Sequence, residues 1–312
     1  MNEQRDTIVV FGEALVDDFG SEQVVGGAPF NVARNLAALG APALMITRIG
    51  EDATGELVRA EFARFGLSET GLQVDADKPT GRVQVERAHG EHRFTILPDQ
   101  AYDRIDAAAA LAAAAAVPQS TLYFGTLAQR DPCARAALQA LFGASAARRF
   151  LDLNVRDGQT NERCVFHSLH EADIVKVNEE ELQQLFSWYT HTQPSTLDMG
   201  EAGVRATCQR LMRTFALQGL IVTLGPRGSV YFGADGEVVE HVDTPMRTTL
   251  VDTVGAGDAY ASVFLLGQAR AWPLALTLAR ANEFAAAICG VSGAVPADLA
   301  FYQPFISRWL LS

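Results

Sequence analysis

Val251–Tyr260 reads VDTVGAGDAY, and the chain then runs on apolar as ASVFLLGQA to Ala269. Asp252 and Thr253 close an extended segment, Gly255, Ala256 and Gly257 turn the backbone, and a helix follows from Asp258. The first N–H groups of a helix have no internal partner and carry partial positive charge, so they attract an anion. Nothing larger than a methyl shields them here. A carboxylate in the same turn repels a bound phosphate, which makes plain phosphate binding a poor explanation. Phosphoryl transfer needs both parts, donors for the transferred group and an acceptor for the attacker's proton. Asp258 is therefore the candidate general base, and the amides of Gly255, Ala256 and Gly257 the candidate anion hole. Taken alone, the motif also fits a carboxylate complementing a helix dipole beside glycines that allow close packing.

Outward from this turn, short β-branched runs alternate with helical segments. Thr7–Gly12 (TIVVFG) and Ala43–Gly50 (ALMITRIG) read as strands, and Pro29–Gly40 between them reads as a helix closed by Gly40. Gly55–Gly66 reads as a helix with Leu57, Phe62 and Phe65 facing a core. TLYFG, RFLDLN, DIVKVN and GLIVTLG continue the rhythm, each followed by a helix-like stretch. The pattern predicts an α/β fold with a mostly parallel central sheet and helices on both faces. Gly81–Leu97 departs from it, alternating apolar and polar residues about His89-Gly90-Glu91 as an antiparallel hairpin does. Ala107–Val117 reads as a helix, because alanine is the best helix former. Thr190–Gly203 reads as an exposed loop.

The chain has 312 residues, 48% of them hydrophobic, which is ample for a core. A net charge of −12 argues against nucleic-acid or anionic-membrane partners. Cys133, Cys164, Cys208 and Cys289 show no metal spacing and read as free thiols. No secretion signal or long apolar span is visible, so a cytoplasmic location is expected.

Four ordered stretches resemble one family. VDTVGAGDAY is similar to the C-terminal signature of the ribokinase-like, phosphofructokinase-B type sugar kinases, and Gly26–Gly40 (GGAPFNVARNLAALG) to its other signature. Val175–Leu182 (VKVNEEEL) resembles its Asn-x-x-Glu element, and Val222–Phe232 (VTLGPRGSVYF) its nucleotide-side strand and turn. Tyr260 departs from the usual phenylalanine. The resemblance covers nearly the whole chain. It implies one ribokinase-like domain over 1–312 with a small β lid built near 14–25 and 75–97.

The remaining roles follow from the residue types and the resemblance together. Asp17, beyond the first strand, is placed to accept hydrogen bonds from two neighbouring sugar hydroxyls, with Asp18 left to solvent. Gly26 and Gly27 let a sugar approach the backbone. Asn31 can donate and accept at once, or cap its helix. Arg156 resembles an arginine that reaches the transferred phosphate in some hexose kinases, with an ion pair to Asp152 or Asp157 as the alternative. Asn178 and Glu181 share a helix face and either suit a hydrated Mg²⁺ or belong to a capped acidic first turn. Lys176 reaches either the phosphates or an acidic neighbour. Thr223, Gly225 and Gly228 resemble positions bordering phosphates and ribose, and Asn282 either lies near adenine or is a helix-surface residue. Asp252 heads a segment that binds a monovalent cation in some relatives, which makes K⁺ a second cofactor candidate. Arg93 or Phe94 of the hairpin faces either the sugar or solvent.

The resemblance implies an ATP- and Mg²⁺-dependent kinase acting on a primary hydroxyl of a small sugar, fructose before others. The alternatives are a 2-keto-3-deoxygluconate kinase, which needs a further cation, a ribokinase, and a nucleoside kinase, which needs Phe30 or Phe94 against a base. A sugar-responsive binding protein without catalysis is the alternative from another class. A homodimer through the lid is a further expectation.

Overall fold

The computed structural model describes residues 6–88, 91–156, 158–242 and 250–310, with 86–88 and 91–93 by their backbone. The strands are β1 (Thr7–Phe11), β2 (Leu15–Asp18), β3 (Gln23–Gly26), β4 (Ala43–Gly50), β5 (Leu72–Asp75), β6 (Gly81–Ala88), β7 (Glu91–Ile96), β8 (Gln119–Phe124), β9 (Arg148–Asp152), β10 (Ile174–Asn178), β11 (Gly219–Thr223), β12 (Ser229–Gly233) and β13 (Val238–His241). The helices are α1 (Ala28–Ala38), α2 (Ala53–Phe65), α3 (Ala107–Ala115), α4 (Pro132–Ala144), α5 (Glu162–Glu171), α6 (Glu179–Tyr189), α7 (Ala202–Phe215), α8 (Ala256–Ala269), α9 (Leu274–Ile288) and α10 (Gln303–Leu310).

Nine strands form the main sheet in the order β13-β12-β11-β10-β9-β8-β1-β4-β5. It is parallel from β11 to β5, and β12 and β13 add on antiparallel. Its interior strands are apolar on both sides because both faces are covered. In β1, Val9 and Phe11 enter one core cluster with residues of α3 to α7, while Ile8 and Val10 enter a second with residues of α1, α2, α8, α9 and α10. The α/β architecture expected from the sequence is the one observed.

A second sheet, order β3-β2-β6-β7, forms the lid. Leu15–Asp18 runs parallel to Gly81–Gln84, so two distant segments build one cover. The lid strands start at Gly81 rather than at residue 75; Asp75 ends β5 and pairs with Gly50 in the main sheet. Residues 89 and 90, the expected hairpin tip, lie outside the described residues, but the flanking register from Val83↔Ile96 to Ala88↔Glu91 is that of a hairpin.

Local signals hold with two adjustments. Asp52 caps α2 by accepting from the Gly55 amide, and Gly66 ends it in the left-handed region at φ 65°. Within α2, Phe62 and Phe65 are buried as expected, but Leu57 is exposed. Val58 takes the core position, since 58, 62 and 65 share a face by the i, i+4, i+7 rule and 57 lies about 100° away from 58. The segment from Thr190 to Gly203 is irregular up to Glu201, yet Thr190, Thr196 and Met199 are buried, so it packs rather than hangs free. Among the described residues no helix is long and apolar enough to cross a membrane.

Candidate active site

β1 lies between β4 and β8, and the chain leaves it first towards β4 and later towards β8. In open parallel sheets such a switch point leaves a crevice at the carboxyl ends of the strands, and that is where ligands sit. A cavity of about 700 Å³ occupies this place. Asp17, Gly27, Asn31, Arg156, Gly255, Gly257 and Asp258 all line it, together with Val83, Phe94, Thr95 and Ile96 of the lid. Residues more than 200 positions apart in the chain thus share one wall.

The glycine turn opens α8. Gly255 caps the helix at φ 78°, and a Cβ there would stand 2.5 Å from Ala294. Only glycine satisfies both the angle and the close approach. Asp258, in the first turn, is buried, and Asn31 Nδ2 donates to its Oδ2 at 2.7 Å. Asn31 is in turn fixed by Arg34, which donates to its Oδ1 at 2.6 Å, to Glu61 at 2.7 Å and to the Val25 carbonyl at 2.9 Å. Asn31 is therefore no helix cap; Gly27 occupies that position, and the Asn31 side chain orients the acid. Burial pushes the Asp258 carboxyl up to about 6, the Asp152 charge adds to this, and Asn31, Lys176 and Arg156 oppose it. A carboxylate of that basicity is still ionised at neutrality and can take a proton from a bound hydroxyl.

Beneath the turn sits a buried cation. Lys176 Nζ is 3.3 Å from the place a Gly257 Cβ would occupy and 2.8 Å from Asp152, whose other oxygen accepts from the Tyr123 hydroxyl at 3.1 Å. Burial alone would lower the amine, but Asp152, with Glu181 and Asp258, carries it above its ordinary value. Lys176 thus answers an acidic neighbour while its charge stays behind the anion turn. Asp152 serves Lys176, which removes it as an ion-pair partner for Arg156; Asp157 lies outside the described residues. Arg156 is exposed on the loop after β9, and its charge lowers the acids of Glu13, Asp17 and Asp258.

On the lid side, burial raises Asp17 to about 6 against the pull of Arg156 and Arg34. A Cβ on Gly26 would stand 2.8 Å from Asp17 Oδ2, and one on Gly27, at φ 103°, 2.6 Å from the Glu13 carbonyl. Both glycines therefore have a packing reason beside any role towards a ligand. Asp18 accepts from the Gly20 amide at 2.9 Å and faces solvent, as expected. Sequence reasoning passed over Glu13, Asn154 and Gln159, which also line the cavity. Glu13 carried a readable signal, an acid set directly after a buried strand and glycine; the other two carried none.

The nucleotide-side residues end neighbouring strands but none lines this cavity. Asn178 and Glu181 form a reciprocal cap: Asn178 Oδ1 accepts from the Glu181 amide at 2.8 Å, and Glu181 Oε2 from the Asn178 amide at 2.9 Å. Glu181 Oε1 accepts from the Val155 amide at 2.8 Å, so the acid also braces the Arg156 loop. Each oxygen keeps a second lone pair, which suits a hydrogen bond from water on Mg²⁺ better than direct ligation. Glu179 pairs with Arg227 and accepts from Thr196 at 2.7 Å. Thr223 donates to the Val177 carbonyl at 3.3 Å. Gly225 turns at φ 58° into open space, whereas a Cβ on Gly228 would meet the His241 carbonyl at 1.9 Å. Asn282 is buried, not on a helix surface: it donates to Ser229 Oγ and to the Leu278 carbonyl, both at 2.8 Å, leaving its own oxygen for any nucleotide. Asp252 accepts from the Val254 amide at 3.0 Å and the Gly293 amide at 3.3 Å. No group of three or more His, Cys, Asp or Glu able to hold a metal occurs among the described residues.

Comparison with known proteins places these features in company. The family profile described as pfkB family carbohydrate kinase matches residues 5–299. Aminoimidazole riboside kinase of Salmonella typhimurium is 31% identical over 317 residues, spanning 92% of this chain and 90% of its own. Fructokinase-1 of Oryza sativa is 29% identical over 285 residues, spanning 84% and 83%. A crystal structure of 2-dehydro-3-deoxygluconokinase from Thermotoga maritima superposes with a TM-score of 0.79 at 15% identity, covering 97% of this chain and 99% of that one.

Proposed function

We propose that this chain, which belongs to the pfkB family of carbohydrate kinases, carries the γ-phosphoryl group of ATP to a primary hydroxyl of fructose. The observation that supports the chemistry is Asp258, a buried and basic carboxylate held by Asn31 on the first turn of a helix that has no side-chain cap. In this reading the acceptor lies under the lid and Asp258 takes the proton of its hydroxyl. The hydroxyl oxygen bonds to the γ-phosphorus as the bond to ADP breaks. The Gly255–Gly257 amides hold the developing charge from one side, with Lys176 fixed behind them, and Arg156 approaches from the open side. Mg²⁺ on the phosphates would be met through its waters by Asn178 and Glu181, where it neutralises charge on ATP. K⁺ would sit at the Asp252 segment. Closure of the lid excludes water as a competing acceptor, and the lid edges β3 and β7 offer a second copy a place to pair.

Charge supports a neutral acceptor. Among the described residues lining the cavity, Arg156 is the single cation, against Glu13, Asp17 and Asp258. A sugar acid would need one cation for its carboxylate while Arg156 serves the phosphate. An aromatic base finds less support than a sugar: Phe30 is buried and stacked on Phe62 at 4.9 Å, and of the two candidates it is Phe94 of the lid that lines the cavity. That residue makes an aminoimidazole riboside the second acceptor to test.

The test is ATP turnover with fructose, ribose, aminoimidazole riboside and 2-keto-3-deoxygluconate. The expected order places kcat/KM for fructose first. A higher value for the sugar acid overturns the substrate, and fructose binding without any ATP turnover points to the non-catalytic binding protein.

A further inference from the structure

Glu13 stands between β1 and the lid, in the three-residue step where the chain leaves the main sheet. It is 4% exposed, and its Oε2 is buried without a hydrogen-bond partner. The residue nevertheless lines the cavity with Asp17, Asn31 and Asp258. Buried polar atoms in folded proteins are nearly always paired, and an unpaired one costs stability, so an orphan at a cavity wall asks for a ligand. The fold uses the Glu13 carbonyl, which packs against Gly27, and the amides of Glu13 and Ala28 draw on the carboxyl, yet Oε2 stays unpartnered. Of the cations around it, Arg156 acts on Glu13 through its charge, and two others are committed elsewhere. Arg130 grips Asp103 with two bonds, at 2.7 and 2.8 Å, and donates to Gln159 and the Leu97 carbonyl. Arg34 is spent on Glu61, Asn31 and Val25.

We propose that Glu13 is a sugar-binding residue, whose free carboxyl oxygen hydrogen-bonds an acceptor hydroxyl other than the one phosphorylated. It would work beside Asp17, so that two carboxyls fix the sugar while Asp258 is kept for the proton. This rests on the sugar-kinase reading of the cavity. A buried acid that must find a hydroxyl rejects an acceptor lacking it more strongly than an apolar wall does. Burial raises Glu13 to about 7, against the amides of Glu13 and Ala28 and the charge of Arg156, with Asp258 adding to the rise. Tyr102, Tyr123 and Arg130 also feel its charge. Near neutrality both forms are present, one able to accept from the hydroxyl and the other to donate to it.

The experiment uses Glu13→Gln, which keeps the shape and removes the titration. KM and kcat are measured for fructose and its monodeoxy analogues from about pH 6 to 8. KM for fructose is expected to rise about tenfold with kcat within about threefold. The part of the KM profile that titrates near neutrality disappears. One deoxy analogue shows the same KM with parent and variant, because the partner hydroxyl is already missing. An unchanged fructose KM, or an equal penalty on every analogue, overturns the proposal. Should the glutamine variant fail to fold, Glu13→Asp replaces it: a raised KM that still titrates supports the assignment, and a parental KM overturns it. Asp258→Asn run alongside separates the two readings, since its loss of turnover leaves the kinase reading standing whatever Glu13 does. Should no sugar turn over with the parent, calorimetric fructose binding decides Glu13: weaker binding by Glu13→Gln supports it, equal binding overturns it.

Discussion

The two halves of the site treat their polar side chains in opposite ways. Around the cavity, Glu13 Oε2 has no hydrogen-bond partner, Asp258 accepts one side-chain hydrogen bond from Asn31, and burial raises Glu13, Asp17 and Asp258 alike. On the nucleotide side the same kinds of residue are satisfied by one another: Lys176 by Asp152, Asn178 by Glu181, Glu179 by Arg227, Asn282 by Ser229. Unsatisfied groups cost stability and are available to a ligand; satisfied groups hold the frame and, in the proposed reading, leave ATP to backbone amides and open surface. The acceptor half stores binding capacity, and the nucleotide half stores rigidity.

The sharpest break in that contrast is expected at Asp258. Replacing it with asparagine keeps the bond to Asn31 but removes the proton acceptor, and kcat is expected to fall about 10³-fold or more while sugar affinity stays. Stopped-time assays beside sugar-binding calorimetry measure both. Arg156→Ala comes next, with a loss of about 10²-fold in kcat; Arg156→Lys, which cannot hold phosphate by two bonds, recovers only part. Lys176→Met should act on the frame instead. It strands the buried Asp152 charge and is expected to cost about 3–5 kcal/mol of stability, read by denaturant unfolding. Parental stability in that variant would remove the distinction between the two halves. Acidification gives a smaller effect. A base with its acid form near 6 loses its charge as pH falls through that value, so log kcat/KM should drop below about pH 6. Smallest is Gly257→Ala, whose methyl would meet the Lys176 ammonium at 3.3 Å and lower kcat a few-fold, about 2–5.

Much of this frame was legible in the chain. The alternation of apolar runs with helical periods gave the main sheet, because strands buried on both faces need unbroken hydrophobic stretches, as in Thr7–Phe11. GAGD marked the turn that opens α8, because turning is a local property, while the chemistry proposed for it came from the resemblance. What stayed hidden was pairing across the sheet. Lys176 and Asp152 lie on adjacent strands in register, a relation fixed only when β9 meets β10. The cap alternative for Asn31 stayed open because the sequence does not show where α1 begins; Gly27 caps it four residues earlier. Leu57 and Val58 are equally apolar, and only the helix phase against the core chose between them.

The central claim is that Asp258 is held in a costly state for the sake of its chemistry, and melting as a function of pH tests it directly. Its folded acid form near 6 lies above the ordinary 3.8, so between those values the native state binds more protons than the unfolded one. Stability from this group is fullest below about pH 4 and declines as pH rises through 6. Asp258→Asn should therefore melt above the parent at about pH 8, by a margin on the order of 3 kcal/mol at most, and match it near pH 4. The same preparation should have lost its turnover. A variant that melts below the parent at pH 8, or that keeps parental turnover, would contradict the account.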